Sequence, residues 1–287
     1  MPVLEALRDA HDVALVVTQP ERRRSRGPAV QPSPVQAAAA RAGLAVRTPA
    51  KAREVTDELV AAGVEVGVVA AFGKLVPTSL LDAVPRGLLN VHLSVLPRWR
   101  GAAPVERAIL AGDDETGVSI MRLDAGLDTG PVFCTVRTPI GAHETAGELT
   151  DRLVGLGIPA LLDVLEHLTE REPTPQTGEV TYAEKLTVEE FHLDPARPAV
   201  ELARIVRAGN PRPGAWLRVD DKRVKVLAAH TTSGGGAPGS LSWPGATLAT
   251  PAGGLVLDTV QVEGRRPMTG DAWLAGFRRR TLVLTVS

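Results

Sequence analysis

Residues 64–92 read VEVGVVAAFGKLVPTSLLDAVPRGLLNVH, and their texture sets the architecture. Val64–Phe72 is an apolar, largely β-branched run, Val76–Ala83 has helical spacing, and Gly87–His92 is a second apolar run. A strand buried on both faces reads as a continuous apolar segment and not as an alternation. Two such strands joined by a short helix form a βαβ unit, which predicts a parallel sheet covered by helices on both sides.

The same rhythm continues in both directions. Upstream, Val3–Ala10 is helical, Val13–Thr18 a strand, Ser33–Ala42 a helix, Ala45–Arg47 a strand and Ala52–Ala62 a helix. Downstream, Ala103–Leu110 reads as a helix, Gly117–Leu123 and Val132–Thr138 as strands, and Thr145–Leu168 as a long helix. The Pro/Thr-rich segment Thr169–Gly178 reads as a linker, with the domain boundary placed somewhat later because Tyr182–Leu186 still suits the first domain. Beyond it a helix, Ala199–Arg207, precedes short β-like runs at Ala215–Val219, Arg223–His230, Gly245–Ala249, Leu255–Val262 and Thr281–Val286, with a glycine-rich loop at Ser233–Gly239. The expected organisation is an α/β, Rossmann-like, doubly wound and mostly parallel sheet over residues 1–186, then a small OB-like β-barrel domain over 187–287.

Composition narrows the function classes. The 287 residues are 44% hydrophobic and 23% charged, enough for a real core. No apolar run approaches the roughly 20 residues that span a bilayer, so neither a membrane anchor nor a signal peptide is expected, and the cell interior is the expected address. The single cysteine, Cys134, excludes a disulfide framework and reads as a small core residue on a strand. His11, His143, His167, His192 and His230 lack metal-ligand spacing, so no metal is expected. No G-x-G-x-x-G follows a strand and no phosphate-cradling P-loop is present, which leaves NAD and ATP unsupported. Net charge is −1, yet residues 187–287 carry 13 Lys+Arg against 9 Asp+Glu. A basic C-terminal part suggests a polyanionic partner.

Three stretches carry candidate chemistry. In NVHLSVLPRWRGAAP (90–104), strand alternation sends Asn90 and His92 to one face, about 6–7 Å apart. At the carboxyl end of a parallel strand that face looks into the crevice where α/β sheets bind ligands. An amide and an imidazole there can donate to a developing oxyanion, and the imidazole can move a proton near neutral pH. The alternative is a histidine satisfied inside the core. In LDAGLDTGP (123–131), Gly126 and Gly130 bracket Asp128 on a loop, a placement that suits a catalytic carboxylate. The alternatives are an aspartate capping its own turn, or Asp124 in the same role. In TQPERRRSRGPAVQPSP (18–34), Arg22, Arg23, Arg24 and Arg26 outnumber Glu21, and four prolines with Gly27 leave neither helix nor strand expected. The loop reads as a phosphate-backbone contact or as a solvated basic loop.

Taken together, residues 16–36, 68–132 and NPRPGAW (210–216), with a weaker match at RRPMTGDAWLAG (265–276), resemble the methionyl-tRNA formyltransferase branch of the folate-dependent formyltransferase superfamily. The NVH, SVLP, RWRGAAP and GLDTG segments carry the superfamily likeness, and the basic TQP loop with the C-terminal domain carries the tRNA branch. The resemblance implies a cytoplasmic monomer that moves a formyl group from N10-formyltetrahydrofolate to the α-amine of methionine on initiator tRNA, for translation initiation. It implies Asn90, His92 and Asp128 as the catalytic triad. Asn90 and a protonated His92 would stabilise the oxyanion, while Asp128 relays the proton and keeps His92 charged. It implies folate contacts at Ser94, Val95, Leu96 and Pro97, with Val95 where the family has Leu, and acceptor-stem contacts at Arg22, Arg23, Arg24 and Arg26. The family opens with a strand and a Gly-Thr-Pro loop before the helix at residues 3–10, so that first strand is expected to be missing here and encoded upstream of Met1. Formylation of a sugar-nucleotide or glycinamide ribonucleotide amine, or non-catalytic RNA binding, are the alternatives.

Overall fold

The apolar run at 87–92 becomes a central strand in the computed structural model, which describes residues 1–23, 30–73, 76–220, 222–234, 236–243, 245–277 and 281–284. In chain order the elements are α1 (Pro2–Ala10), β1 (Val16–Val17), β2 (Arg22–Arg23), β3 (Val30–Gln31), α2 (Pro34–Arg41), β4 (Val46–Arg47), α3 (Thr56–Ala61), β5 (Gly67–Val69), α4 (Thr78–Ala83) and β6 (Leu88–His92). They continue with β7 (Arg100–Gly101), α5 (Pro104–Ala111), β8 (Glu115–Arg122), β9 (Val132–Pro139), α6 (Ala146–Glu166) and β10 (Tyr182–Ala183). The chain forms two compact units, one of residues 1–104, 116–138 and 151–183, the other of 105–115, 139–150 and 184–287.

In the first unit β1 pairs with β4 in parallel, and β5, β6, β8 and β9 form a second sheet in that order. There β5 runs parallel to β6, whereas β6 runs antiparallel to β8. All five residues of β6 are buried, the polar Asn90 and His92 among them, as a strand covered on both faces requires. The period of two then divides its side chains. Leu89 and Val91 enter a core with Val118 and Ile120 of β8 and with Leu161 and Val164 of α6. Asn90 and His92 point to the other side. Helix α6 comes close to the sheet at Gly157, where a Cβ would stand 3.0 Å from Val118 and 3.1 Å from Val91. Helix α2 starts on a reciprocal cap: the Ser33 hydroxyl accepts from Gln36 N, and the Gln36 side chain accepts from Ser33 N.

The stretch at 18–34 departs from expectation. Arg22 and Arg23 pair antiparallel with Gln31 and Val30. The prolines at 20, 32 and 34 fall outside the paired positions, so none of them removes a ladder donor, and Pro28 lies outside the described residues. Arg24 and Arg26 lie outside the described residues. The Pro/Thr-rich stretch is also no free tether: Thr174 exchanges both backbone hydrogen bonds with Val132, at 2.8 and 2.9 Å. Pro173 and Pro175 flank the pairing residue and leave its donor intact.

The second unit holds α7 (Ala199–Ala208), β11 (Ala215–Val219), β12 (Lys222–Thr232), β13 (Ser240–Ser242), β14 (Thr247–Ala249), β15 (Gly254–Val262), β16 (Met268–Thr269), α8 (Gly270–Leu274) and β17 (Thr281–Val283). Its strands make one seven-stranded sheet in the order β11-β12-β15-β14-β13-β17, with β16 beside β15. The pairings are antiparallel. The expected small barrel thus takes the form of a curled half-barrel sheet. A register shift in β12 between Val226 and Ala229 supplies a local bend. Helix α7 buries Leu202, Ile205 and Val206, the i, i+3, i+4 stripe of an amphipathic helix. No helix among the described residues is long and apolar enough to cross a membrane.

Candidate active site

Two side chains of β6, Asn90 and His92, meet Asp128 from a loop 38 residues beyond Asn90. Asn90 Nδ2 donates to Asp128 Oδ1 at 3.4 Å, and His92 Nδ1 stands 3.7 Å from Asp128 Oδ2. Asn90 and His92 are buried, His92 to 5% exposure, while the Asp128 side chain keeps 13%. The carboxylate is therefore the more solvent-exposed member of the His92–Asp128 pair. Beside it Leu127 is 49% exposed, so the loop that carries Asp128 faces solvent.

The backbone places each group. Alternation along β6 puts the amide and the imidazole on one face. Asp128 sits at φ +50°, in the left-handed region that costs most residues about 1 kcal/mol or more and that aspartate tolerates better. Its neighbour Asp124 is the turn capper: one oxygen, Oδ1, accepts from Gly126 N at 3.0 Å and Thr129 Oγ1 at 2.6 Å. The two carboxylates of the loop are thus separated by geometry, one spent on the turn and one aimed at the imidazole. Gly101 N donates to Asp128 Oδ2 at 2.9 Å. Gly101 has φ +125°, and a Cβ there would stand 2.7 Å from the Ala183 carbonyl oxygen, so the approach of β7 to β10 requires glycine.

His92 Nε2 lies 2.9 Å from the carbonyl oxygen of Trp99. A carbonyl only accepts, so Nε2 carries the hydrogen and donates, and the second proton of the ring belongs at Nδ1, facing Asp128. Burial pushes the imidazole below its ordinary value of 6.5; the Asp128 charge and the Trp99 carbonyl act in the opposite sense. The expected role of Asp128 in keeping His92 charged is thus opposed by burial of the ring. Desolvation outweighs the carboxylate, because the ring is enclosed while Asp128 retains some water. Both ring nitrogens already face protein groups, so the geometry equips His92 to share a proton with Asp128.

Ser94, Val95, Leu96 and Pro97 form the turn after β6. The Ser94 hydroxyl donates to the Arg98 carbonyl at 2.6 Å, and Ser119 Oγ donates to the Ser94 carbonyl at 2.8 Å. Leu96 N donates to Ser119 Oγ at 3.3 Å. Ser94, Leu96 and Pro97 are buried and Val95 is half-buried. The turn is shaped from within, and its serine side chain is spent on the turn itself.

Sequence reading missed the segment that braces the site. Gln176 Nε2 donates to the carbonyls of Asp128 and Gly130, both at 2.8 Å. Gln176 Oε1 accepts from Arg100 Nε and Nη2 at 3.0 and 2.7 Å. Thr181 Oγ1 accepts from Trp99 N at 2.9 Å, and β10 pairs in parallel with β7. The only sequence signal was the return of β-like residues at Tyr182 after a proline-rich stretch. Among the described residues, no group of three or more His, Cys, Asp and Glu is placed to hold a metal ion.

Residues 2–165 match the formyl transferase family, and residues 185–278 match the formyl transferase C-terminal domain. The chain is 49% identical over 280 residues to a methionyl-tRNA formyltransferase of Cereibacter sphaeroides, covering 96% of this chain and 92% of that one. It is 48% identical over 282 residues to a methionyl-tRNA formyltransferase of Thermus thermophilus, with the same coverage. Among solved structures, the N-formyltransferase of Helicobacter canadensis in complex with folinic acid and dTDP-3-aminofucose superposes with a TM-score of 0.65 at 16% identity, covering 89% of this chain and 94% of that one. At that identity the likeness is one of fold.

Proposed function

The chain belongs to the formyl transferase family, and from this we infer that it transfers a formyl group from N10-formyltetrahydrofolate to the α-amino group of methionyl initiator tRNA. The observation that supports the chemistry is the meeting of Asn90 and His92 on β6 with Asp128 from the loop between β8 and β9.

The reaction asks for little more than these groups. The neutral amine attacks the formyl carbon, and charge grows on the formyl oxygen. Asn90 Nδ2 has a second hydrogen to offer that oxygen, a contribution worth about 3–4 kcal/mol per donor in comparable acyl transfers. The attacking nitrogen loses a proton to the Asp128 carboxylate, and His92 Nδ1 shares it. The bond to folate N10 then breaks, and the same proton passes to N10, so the site returns to its starting protonation. Burial, which favours the neutral ring, suits this exchange, because a charged imidazolium leaves Asp128 a weaker base. The Ser94–Pro97 turn offers the donor a rigid wall and not a set of reaching side chains. Arg22 and Arg23, with Arg24 and Arg26, supply charge for the tRNA backbone.

The test is formyl transfer from N10-formyltetrahydrofolate to initiator methionyl-tRNA, compared with a sugar-nucleotide amine and glycinamide ribonucleotide. The tRNA should be the preferred acceptor by orders of magnitude, and its binding should weaken steeply with salt. Preference for a small amine with a flat salt response overturns the reading.

A further inference from the structure

We propose that Gln176 is a positioning residue for formyl transfer, holding Asp128 through its backbone; the proposal rests on the functional reading above. Its amide is the only link, among the described hydrogen bonds, that grips the carbonyls of both Asp128 and Gly130. One of them is the carbonyl of Asp128 itself, the residue in the left-handed conformation, and the other lies two residues further along the loop. A residue in that region stays there only where its surroundings over-determine it, and two donated hydrogen bonds from one amide do so.

The orientation of the amide is fixed by chemistry. The Arg100 guanidinium only donates, so Oε1 must face it, and the two loop carbonyls only accept, so Nε2 must face them. Turning the amide over sets donor against donor and acceptor against acceptor at both ends. Arg100 is also the neighbour of Gly101, whose N–H reaches the Asp128 carboxylate. Strand β7 therefore governs Asp128 twice, through Gly101 at the side chain and through Arg100 and Gln176 at the backbone. A shift of the loop by a fraction of an ångström moves the carboxylate off His92 Nδ1, already 3.7 Å away.

The experiment measures kcat and KM for initiator methionyl-tRNA in wild type, Gln176→Ala, Gln176→Glu, Asp128→Asn and the Gln176→Glu/Asp128→Asn double variant. Gln176→Glu keeps the Arg100 contact and the side-chain size but cannot donate to the loop, so it tests the donated bonds without deleting the residue. We expect kcat to fall roughly 10–100-fold in both single Gln176 variants, with KM for the tRNA nearly unchanged. In the Asp128→Asn background the Gln176→Glu change should cost less than about twofold, because the group it positions is already gone. Wild-type kcat in Gln176→Glu, or a full additional loss in the Asp128→Asn background, overturns the proposal. A wild-type chain that formylates no tRNA overturns the functional reading, and the proposal with it.

Discussion

Burial and the Asp128 charge compete on the His92 ring, and the proposed mechanism uses the two residues as a pair. Desolvation lowers the imidazole, and the carboxylate at 3.7 Å partly restores it. The acid limb of kcat/KM should therefore lie below about pH 6.5, the ordinary value of a free imidazole. Replacing Asp128 with Asn removes the group that raises the ring, so the limb should move further to acid; a shift to higher pH rules out this coupling. The same lowering ties stability to pH. A ring held neutral contributes fully above its unfolded value and loses that contribution as pH falls through that value toward the lower folded one. Urea midpoints measured near about pH 7.5 and about pH 5 should fall more in wild type than in His92→Gln. Equal slopes would place the effect elsewhere. Asp124 offers the contrast within one loop: Asp124→Ala removes the turn cap and should cost about 1 kcal/mol of stability with kcat within a few-fold of wild type. His92→Ala should instead lower kcat by about 100-fold or more with tRNA KM little changed.

The elements that sequence displayed best are those with one dominant cause. Strand β6 was plain because both of its faces are covered, and α6 because its apolar residues recur over 21 residues. The placement of Asn90 and His92 followed from β6 by alternation alone. Asp128 emerged as a loop carboxylate between two glycines, but nothing local separated it from Asp124; their different partners, 38 residues away in one case and five or fewer in the other, decide the matter. Gln176 and Thr181 were hidden because proline-rich texture reports what a segment cannot form and not what it packs against. Short elements such as β16 and α8, two and five residues long, carry too few positions to show a period. Two substitutions test the element-level packing. Ile120→Ala, in the core beneath β6, should cost about 2–5 kcal/mol in urea denaturation. Gly101→Ala must crowd the Ala183 carbonyl and also displace the N–H that holds Asp128, so stability and kcat should fall together. An active, fully stable Gly101→Ala protein would show that the close approach of β7 to β10 is dispensable.

For the molecule as a whole, the proposed function assigns chemistry and tRNA affinity to different stretches of the chain. The proposed catalytic side chains lie within the first unit, and the charge proposed to meet the tRNA lies in the net positive residues 187–287 and the arginines at 22–26. Replacing Arg22, Arg23 and Arg24 together with Ala should raise tRNA KM more than it lowers kcat and flatten the salt dependence of binding, by up to about one logarithmic unit per lost phosphate contact. A pure loss of kcat would remove the loop from tRNA binding. The decisive comparison is single-turnover formation of formyl-methionyl-tRNA by the wild-type chain and by Asp128→Asn at neutral pH. With Asn90, His92 and Asp128 as the transferring group, wild type formylates the tRNA and the variant is slower by about 100-fold or more at unchanged tRNA affinity. A variant as fast as wild type would mean that the carboxylate at the end of β6 takes no part in moving the proton, and that formyl transfer occurs by other means.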